Sequence, residues 1–307
     1  MLYLIKDFFE VTNVKQGDII KKLRIERGIS QEALAKGIST RTTLSSFERR
    51  NTELSSSALL KYLDKLNVKF DEFQFLLCDN LLSQKEKVIN RFIEIINSNF
   101  NRKELEVYLT QLEDVYSKHK DNFYLMIIAQ LKILKAAILE INELEKNEAI
   151  RLIKEYLFKV ENWCHFELTI FNNVLFIFYS EEIVVQFENV ISRMWLLQDK
   201  AHYNSLISTF LINGCFLGFE RADANLASLF VRHLEIVSAN SRFVEAKIYL
   251  LIFKGLLPSI SNQTLDSVSI KKGLKILDIL DEAKANSIRE FIFQYLETQG
   301  YEVCLIL

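Results

Sequence analysis

Glycine and proline are scarce in this 307-residue chain: there are eight glycines and one proline, Pro258, and neither occurs in residues 38–213. A β-sandwich, a barrel or a doubly wound sheet of this size needs tight turns with positive φ and proline punctuation at many connections. The chain is therefore expected to be all-helical. The glycines, at 17, 28, 37, 214, 218, 255, 273 and 300, fit neither a P-loop nor a dinucleotide fingerprint. Nucleotide-dependent chemistry of those kinds is disfavoured.

Cysteine is sparse as well. Cys78, Cys164, Cys215 and Cys304 form no C-x-x-C pair and have no histidine at a ligand interval, so each reads as a core or surface position, with no metal and no cofactor expected. So few cysteines in a long chain point to a reduced, cytoplasmic setting. The opening MLYLIKDFFEV carries Lys6, Asp7 and Glu10 and lacks a small-residue cleavage site, unlike a signal peptide. Long hydrophobic runs are missing too. The most apolar stretch, residues 168–179, is interrupted by Asn172 and Asn173 and is too short to cross a bilayer; a buried helix is expected there, and no membrane insertion. There is no H-E-x-x-H and no G-x-S-x-G, and His119, His165, His202 and His233 are scattered. Cys164 and His165 are sequence neighbours and so fall on different helix faces. An enzyme is not expected.

Net charge is −2, but its distribution is uneven. Residues 15–69 hold 12 Lys/Arg against 6 Asp/Glu, and the remainder holds 26 against 34. This fits a polyanion contact at the front, because Lys and Arg displace counterions condensed on phosphate; a solvated helix surface would carry the same charge.

The front segment has its own pattern. Ile19, Ile20 and Leu23 make one apolar stripe, closed by Gly28 at a C-cap. Ser30 then suits an N-cap, with Glu32 at the positive end of the dipole and Leu34 and Ala35 facing inward. Gly37 turns the chain, Ser39 or Thr40 caps a second helix, and Leu44 and Phe47 face its core. Two short helices joined by a tight glycine-containing turn form a helix-turn-helix, whose second helix enters the major groove. Outward on that helix lie Thr40, Arg41, Thr42, Thr43, Ser45, Ser46 and Arg49, hydroxyl and guanidinium groups suited to phosphate oxygens and base edges.

The run LRIERGISQEALAKGISTRTTLSSFERR, followed by SSSALLKYLDKLNVKFDEF, resembles the Xre/Cro-type helix-turn-helix domain of the Rgg (GadR/MutR) family of Gram-positive transcription regulators. Gln31, Leu34, Ala35, Gly37, Leu44, Ser45, Phe47, Glu48 and Arg49 carry the likeness. It implies a DNA-binding domain over residues 17–78 with Gln31, Thr40, Arg41, Thr42, Ser45 and Arg49 at double-stranded promoter DNA. Arg50 stands where a glycine usually follows the Glu-Arg pair. Ser56 stands where some members carry a cysteine that links two subunits, so a disulfide-linked dimer is not implied. Residues 1–16 make a leader longer than the family shows: either an extra helix packed through Leu2, Leu4, Ile5, Phe8 and Phe9, or residues ahead of the natural start.

From residue 79 to 307, amphipathic stretches follow one another. Ile89, Phe92, Ile93 and Ile96 fall at helical spacing, as do Leu105, Leu109, Leu112 and Tyr116, then Ile127, Leu131, Leu134, Ile138 and Ile141. Polar breaks near 99–102, 118–122, 145–147, 161–162, 181, 199–201, 220–223, 239–242 and 259–267 are about 15 to 22 residues apart, the period of paired-helix repeats. The fold class expected is thus a helix-turn-helix domain followed by a right-handed solenoid of degenerate TPR-like repeats. The concave side of such an array offers a groove for peptides. Asn172, Asn173 and Asn213, set inside apolar runs, could each grip a peptide backbone through the amide or equally satisfy a loop carbonyl. Gly214 and Gly218 beside Asn213 would allow close approach by a ligand or a helix.

The likeness continues here, in RLIKEYLFKVENWCHFELTIFNN (residues 151–173) and in IKKGLKILDILDEAKANSIREFI (residues 270–292), the latter like the family's closing repeat and capping helix. It implies a homodimer whose repeats bind a short signalling peptide, with Asn173 and Asn213 on pocket-lining helices. Some members use an arginine near the place of Phe176, which implies a more apolar pocket here. The alternatives are a helical-repeat peptide sensor acting on a protein partner such as a phosphatase, which would not require the basic front helices, and an orphan regulator answering another ligand.

Overall fold

The computed structural model describes residues 15–78, 82–97, 101–139, 143–196, 201–261 and 264–301. The proposed leader helix and Cys304 lie outside the described residues. Every regular element among the described residues is helical, and the chain divides into two compact units, Met1–Glu106 and Val107–Leu307.

In the first unit, five helices close a small core: α1 (Gln16–Glu26), α2 (Gln31–Ala35), α3 (Arg41–Arg50), α4 (Ser56–Lys65) and α5 (Phe70–Leu77). Ile20, Leu34, Leu44, Tyr62, Leu66 and Phe73 are almost fully buried together. The helix ends follow local chemistry. Ser30, Thr40 and Ser55 cap α2, α3 and α4, each accepting from the backbone N–H three residues on, at 3.1, 3.1 and 3.2 Å. Of the two caps expected for α3, Thr40 takes the role, while Ser39 Oγ lies 2.6 Å from the Tyr62 hydroxyl. After α1, Gly28 N–H reaches Ile25 O and Ile29 N–H reaches Arg24 O, the paired bonds of a Schellman end. Gly37, at φ +75°, turns the chain between α2 and α3. α2 has only five residues, too few to stand alone. Lys65 secures it: its ammonium donates to the carbonyls of Lys36, Ala33 and Leu34 at 2.6, 3.2 and 3.4 Å, at the negative end of the helix.

One further helix of this unit, α6 (Gln84–Asn97), buries Val88, Phe92 and Ile95. The expected stripe of Ile89, Phe92, Ile93 and Ile96 is rotated: Ile89 and Ile93 are exposed. With an isoleucine or valine at so many positions, two faces satisfy the 3.6-residue period equally, and packing picks one. Leu60 likewise is exposed on α4 although its spacing places it inward.

α7 (Arg102–His119) spans the division between the units. The second unit continues with α8 (Asn122–Leu139), α9 (Glu143–Lys159), α10 (His165–Asn173), a 3-10 turn at Leu175–Ile177, α11 (Ser180–Leu196), α12 (Ala201–Glu220), α13 (Ala224–Ser238), α14 (Val244–Leu256), a 3-10 turn at Leu257–Ser261, α15 (Ser267–Leu280) and α16 (Glu282–Thr298). α8 packs on α9, and α11 to α16 pack each on the next in sequence, while α8, α10, α12 and α14 also touch in series, each against the next but one. That is the contact pattern of stacked helix pairs. A large core cluster runs along the unit from Met126 to Leu296.

Three connections differ from the periodic reading. The break expected at 145–147 lies inside α9. The apolar stretch 168–179 is not one helix: α10 ends at Asn173, and Val174 at φ −121° starts the 3-10 turn. Residue 281, which is not among the expected polar breaks, separates α15 from α16, and Asp281 caps the latter by accepting from Lys284 N–H at 3.0 Å.

Gly214 and Gly218 serve the packing of α12 on α13. A Cβ at Gly214 would stand 2.1 Å from the Phe230 ring, and one at Gly218 would stand 2.6 Å from Ala227 N. Close approach at these glycines is therefore by a helix.

Candidate functional site

The reading face of the first unit is built from α3. Because Leu44 and Phe47 point into the core, the 100° step per residue leaves Arg41, Thr42, Ser45 and Arg49 on the opposite side. These four, with Ser46 and Arg50, line one surface concavity of about 450 Å³. Two other residues expected at DNA are occupied differently. Thr40 Oγ1 accepts from Thr43 N–H at 3.1 Å and lies 2.8 Å from Thr43 Oγ1, so it shapes the helix start. Gln31 Nε2 donates to Glu48 Oε2 at 2.8 Å.

Glu48 is the hub beneath that face. It is 1% exposed and takes the Arg24 guanidinium on both oxygens, Nε to Oε1 at 2.6 Å and Nη2 to Oε2 at 2.8 Å. Arg24 Nη1 also donates to Ile29 O at 2.9 Å, tying the loop before α2 to the same cluster. Burial pushes the Glu48 carboxyl up, yet hydrogen bonds from Arg24 and Gln31 and the charges of Arg24 and Lys21 outweigh it and hold the carboxyl below its ordinary value. The pair fixes α1 against α3, and Gln31 adds α2. Nothing at short range in the sequence marks this partnership, since Arg24 and Glu48 are 24 residues apart; the signal is a charge beside an inward residue in each helix, Leu23 and Phe47.

In the second unit, the asparagines singled out in the sequence form two rungs along the stacked helices. Asn173 Nδ2 donates to Gln130 Oε1 at 3.0 Å, joining α10 to α8. Asn213 Nδ2 donates to Asn172 Oδ1 at 3.1 Å, joining α12 to α10. Gln130 and Asn172 are buried; Asn173 and Asn213 are half-buried. Gln130, which donates onward to Met126 O at 3.1 Å, was not marked by the sequence because it sits alone in an apolar helix.

Phe176 lies in the 3-10 turn and is exposed. Its surroundings are less apolar than expected. Arg221 at the end of α12 donates to the carbonyls of Phe176 and Phe178 at 3.0 and 2.8 Å, and to Ser180 Oγ at 3.3 Å. A cation thus stands beside the segment, supplied by another helix. A separate cleft of about 410 Å³, walled by Phe158, Trp163, Asn189 and Arg193, contains none of Asn173, Phe176 and Asn213. Among the described residues, no group of three His, Cys, Asp or Glu side chains could hold a metal ion, and no helix is long and apolar enough to cross a membrane.

Comparison with known proteins places these features in a family. Residues 20–73 match the helix-turn-helix model, and residues 105–290 match the C-terminal domain of the HTH-type transcriptional regulator Rgg. Among solved structures, the SHP pheromone receptor Rgg2 of Streptococcus dysgalactiae superposes with a TM-score of 0.68 at 18% identity, over 92% of this chain and 100% of that one. A Listeria monocytogenes EGD-e protein described as a transcriptional regulator gives 0.74 at 19% identity, over 94% and 99%. PrgX in complex with cCF10 gives 0.69 at 17% identity, over 91% and 99%. At these identities the superpositions speak for the fold, and the family match, spanning most of the second unit, for membership: the chain belongs to the Rgg family of helix-turn-helix transcriptional regulators.

Proposed function

We propose that the protein is a cytoplasmic, homodimeric regulator that binds promoter DNA through α3 and is controlled by a short signalling peptide held by its stacked helices. The observation that carries the DNA half is the shared outward face of Arg41, Thr42, Ser45 and Arg49, raised on a core that Glu48 and Arg24 lock from beneath. Arginine guanidinium groups match guanine O6/N7 or phosphate, and the hydroxyls match either. In a two-fold dimer, two such helices would read half-sites about one duplex turn apart.

Support for the peptide half comes from the family and from the superposable pheromone receptors, and in this chain from the half-buried Asn173 and Asn213 and from exposed Phe176. An amide can donate to and accept from an extended backbone whatever its side chains. A peptide alters DNA affinity only if it binds DNA-competent and DNA-incompetent arrangements unequally.

The test is fluorescence anisotropy with the full chain and a labelled duplex of the promoter it controls, at fixed salt. Arg41→Ala is expected to weaken binding strongly while the circular-dichroism melt stays unchanged. Unaltered affinity in that variant would overturn the assignment of α3.

A further inference from the structure

α3 is longer and more firmly ended than a reading helix needs for its four expected contacts. It runs through Arg50, and the chain leaves it at Asn51 in the left-handed region, φ +51°. Asn51 Oδ1 accepts from Gly17 N–H at 2.8 Å, which pins the last turn of α3 to the start of α1. Arg50 is thus a helical residue on a fixed turn. One turn back, Ser46 Oγ accepts from Arg50 Nη2 at 2.9 Å, and both side chains line the concavity that holds Arg41 and Arg49.

The arginines of this concavity differ from those that form ion pairs elsewhere in the protein. Arg24, Arg91, Arg102, Arg151 and Arg289 each meet a carboxylate. Among the described residues, Arg41, Arg49 and Arg50 meet none, and no acidic side chain lines the concavity. Three guanidinium groups gathered on one face repel one another unless an anion completes the site. A planar guanidinium is a good partner for a phosphate, and a hydroxyl that restrains it reduces the freedom lost on binding.

We propose that Arg50, tethered by Ser46, grips a backbone phosphate of the duplex at the C-terminal end of α3 and so sets the register in which Arg41, Thr42 and Ser45 meet the bases. It extends the DNA contact beyond the residues that sequence resemblance implies. A phosphate contact is blind to sequence, so Arg50 contributes equally to cognate and random DNA.

The experiment uses the full-length protein and a fluorescein-labelled random-sequence duplex of about 30 base pairs, long enough for two half-sites one turn apart, titrated from 50 to 200 mM KCl, roughly the range over which phosphate contacts show their salt dependence. Arg50→Ala is expected to weaken binding roughly tenfold per contact near 0.1 M salt and to lower the slope of log K against log[KCl] by about one per protomer. Arg50→Lys should keep the slope. Ser46→Ala should keep the slope and weaken binding less than Arg50→Ala does. A bland role, in which Arg50 only favours the negative end of α3, predicts a lowered melting temperature with affinity and slope intact; that result overturns the proposal, as does a loss confined to one DNA sequence. Absence of salt-dependent binding by the wild-type chain would sink the reading of α3 itself, an outcome distinct from failure of Arg50 alone.

Discussion

Arg24 and Glu48 meet through two parallel hydrogen bonds, 2.6 and 2.8 Å long, in a place where Glu48 is almost wholly shielded from water. Removing one partner leaves the other charged and buried, a loss of about 3–5 kcal/mol in such settings. Glu48→Ala is expected to lower the stability of the helix-turn-helix by an amount of that order, followed by thermal unfolding with far-ultraviolet circular dichroism. Arg24→Met with Glu48→Leu, replacing both, should restore much of it; if the double variant is no better than the single, the pair matters for more than its charge.

The same pair sets an acid limit. The Glu48 carboxyl is held below its ordinary value of 4.5 in the folded protein. A depressed folded value means that its contribution is fully present above 4.5 and fades as pH falls from there through the folded value. Urea midpoints measured between pH 7 and pH 3 should therefore fall on the acid side in the wild type and fall less in the double variant.

Gly218 admits no side chain. Its neighbour across the helix pair is the Ala227 backbone, 2.6 Å from where a Cβ would stand, and backbone cannot rotate away. Gly218→Ala is expected to destabilise the second unit by about 1–3 kcal/mol, the usual range for overpacking. Ser228→Ala, at an exposed position of α13, should leave the denaturant midpoint where it is.

Asn213→Ala removes the donor to Asn172 Oδ1, which is 4% exposed. An unpaired acceptor there costs about 1–3 kcal/mol. Basal DNA binding should survive, and any gain or loss of DNA affinity on adding the signalling peptide should be blunted. Anisotropy titrations with and without peptide check this; a full peptide response in the variant would remove Asn213 from the groove.

Arg221 holds the backbone of the Phe176 segment by two carbonyls. Arg221→Ala should loosen it locally, read as faster amide exchange in residues 176–183 with the rates in Asn122–Leu139 unchanged.

Much of the first unit could be read directly because its signals are local. Ser30, Thr40, Gly28 and Gly37 act within three or four residues of themselves, and Leu34, Leu44 and Phe47 sit at fixed offsets from those marks. The partners that make the unit rigid are distant in sequence: Arg24 with Glu48, Lys65 with the end of α2, Asn51 with Gly17. Periodicity cannot see them. Beyond that core the helices themselves were legible, but their faces were less so: in α6, Val88, Ile89, Phe92 and Ile93 offer two stripes and only packing chooses. The asparagines stood out as polar residues in apolar runs, while their pairing through Gln130 and Asn172 depends on how α8, α10 and α12 stack.

Lys65 closes three backbone carbonyls at the end of α2 with one ammonium, and Glu48 joins α1, α2 and α3 from the other side. The five-residue helix therefore has no joint of its own. The reading surface behaves as a stamp with a fixed die: its pattern is cut once, during folding, and a signal arriving from elsewhere in the protein can press it down or lift it away but has no means of recutting the pattern.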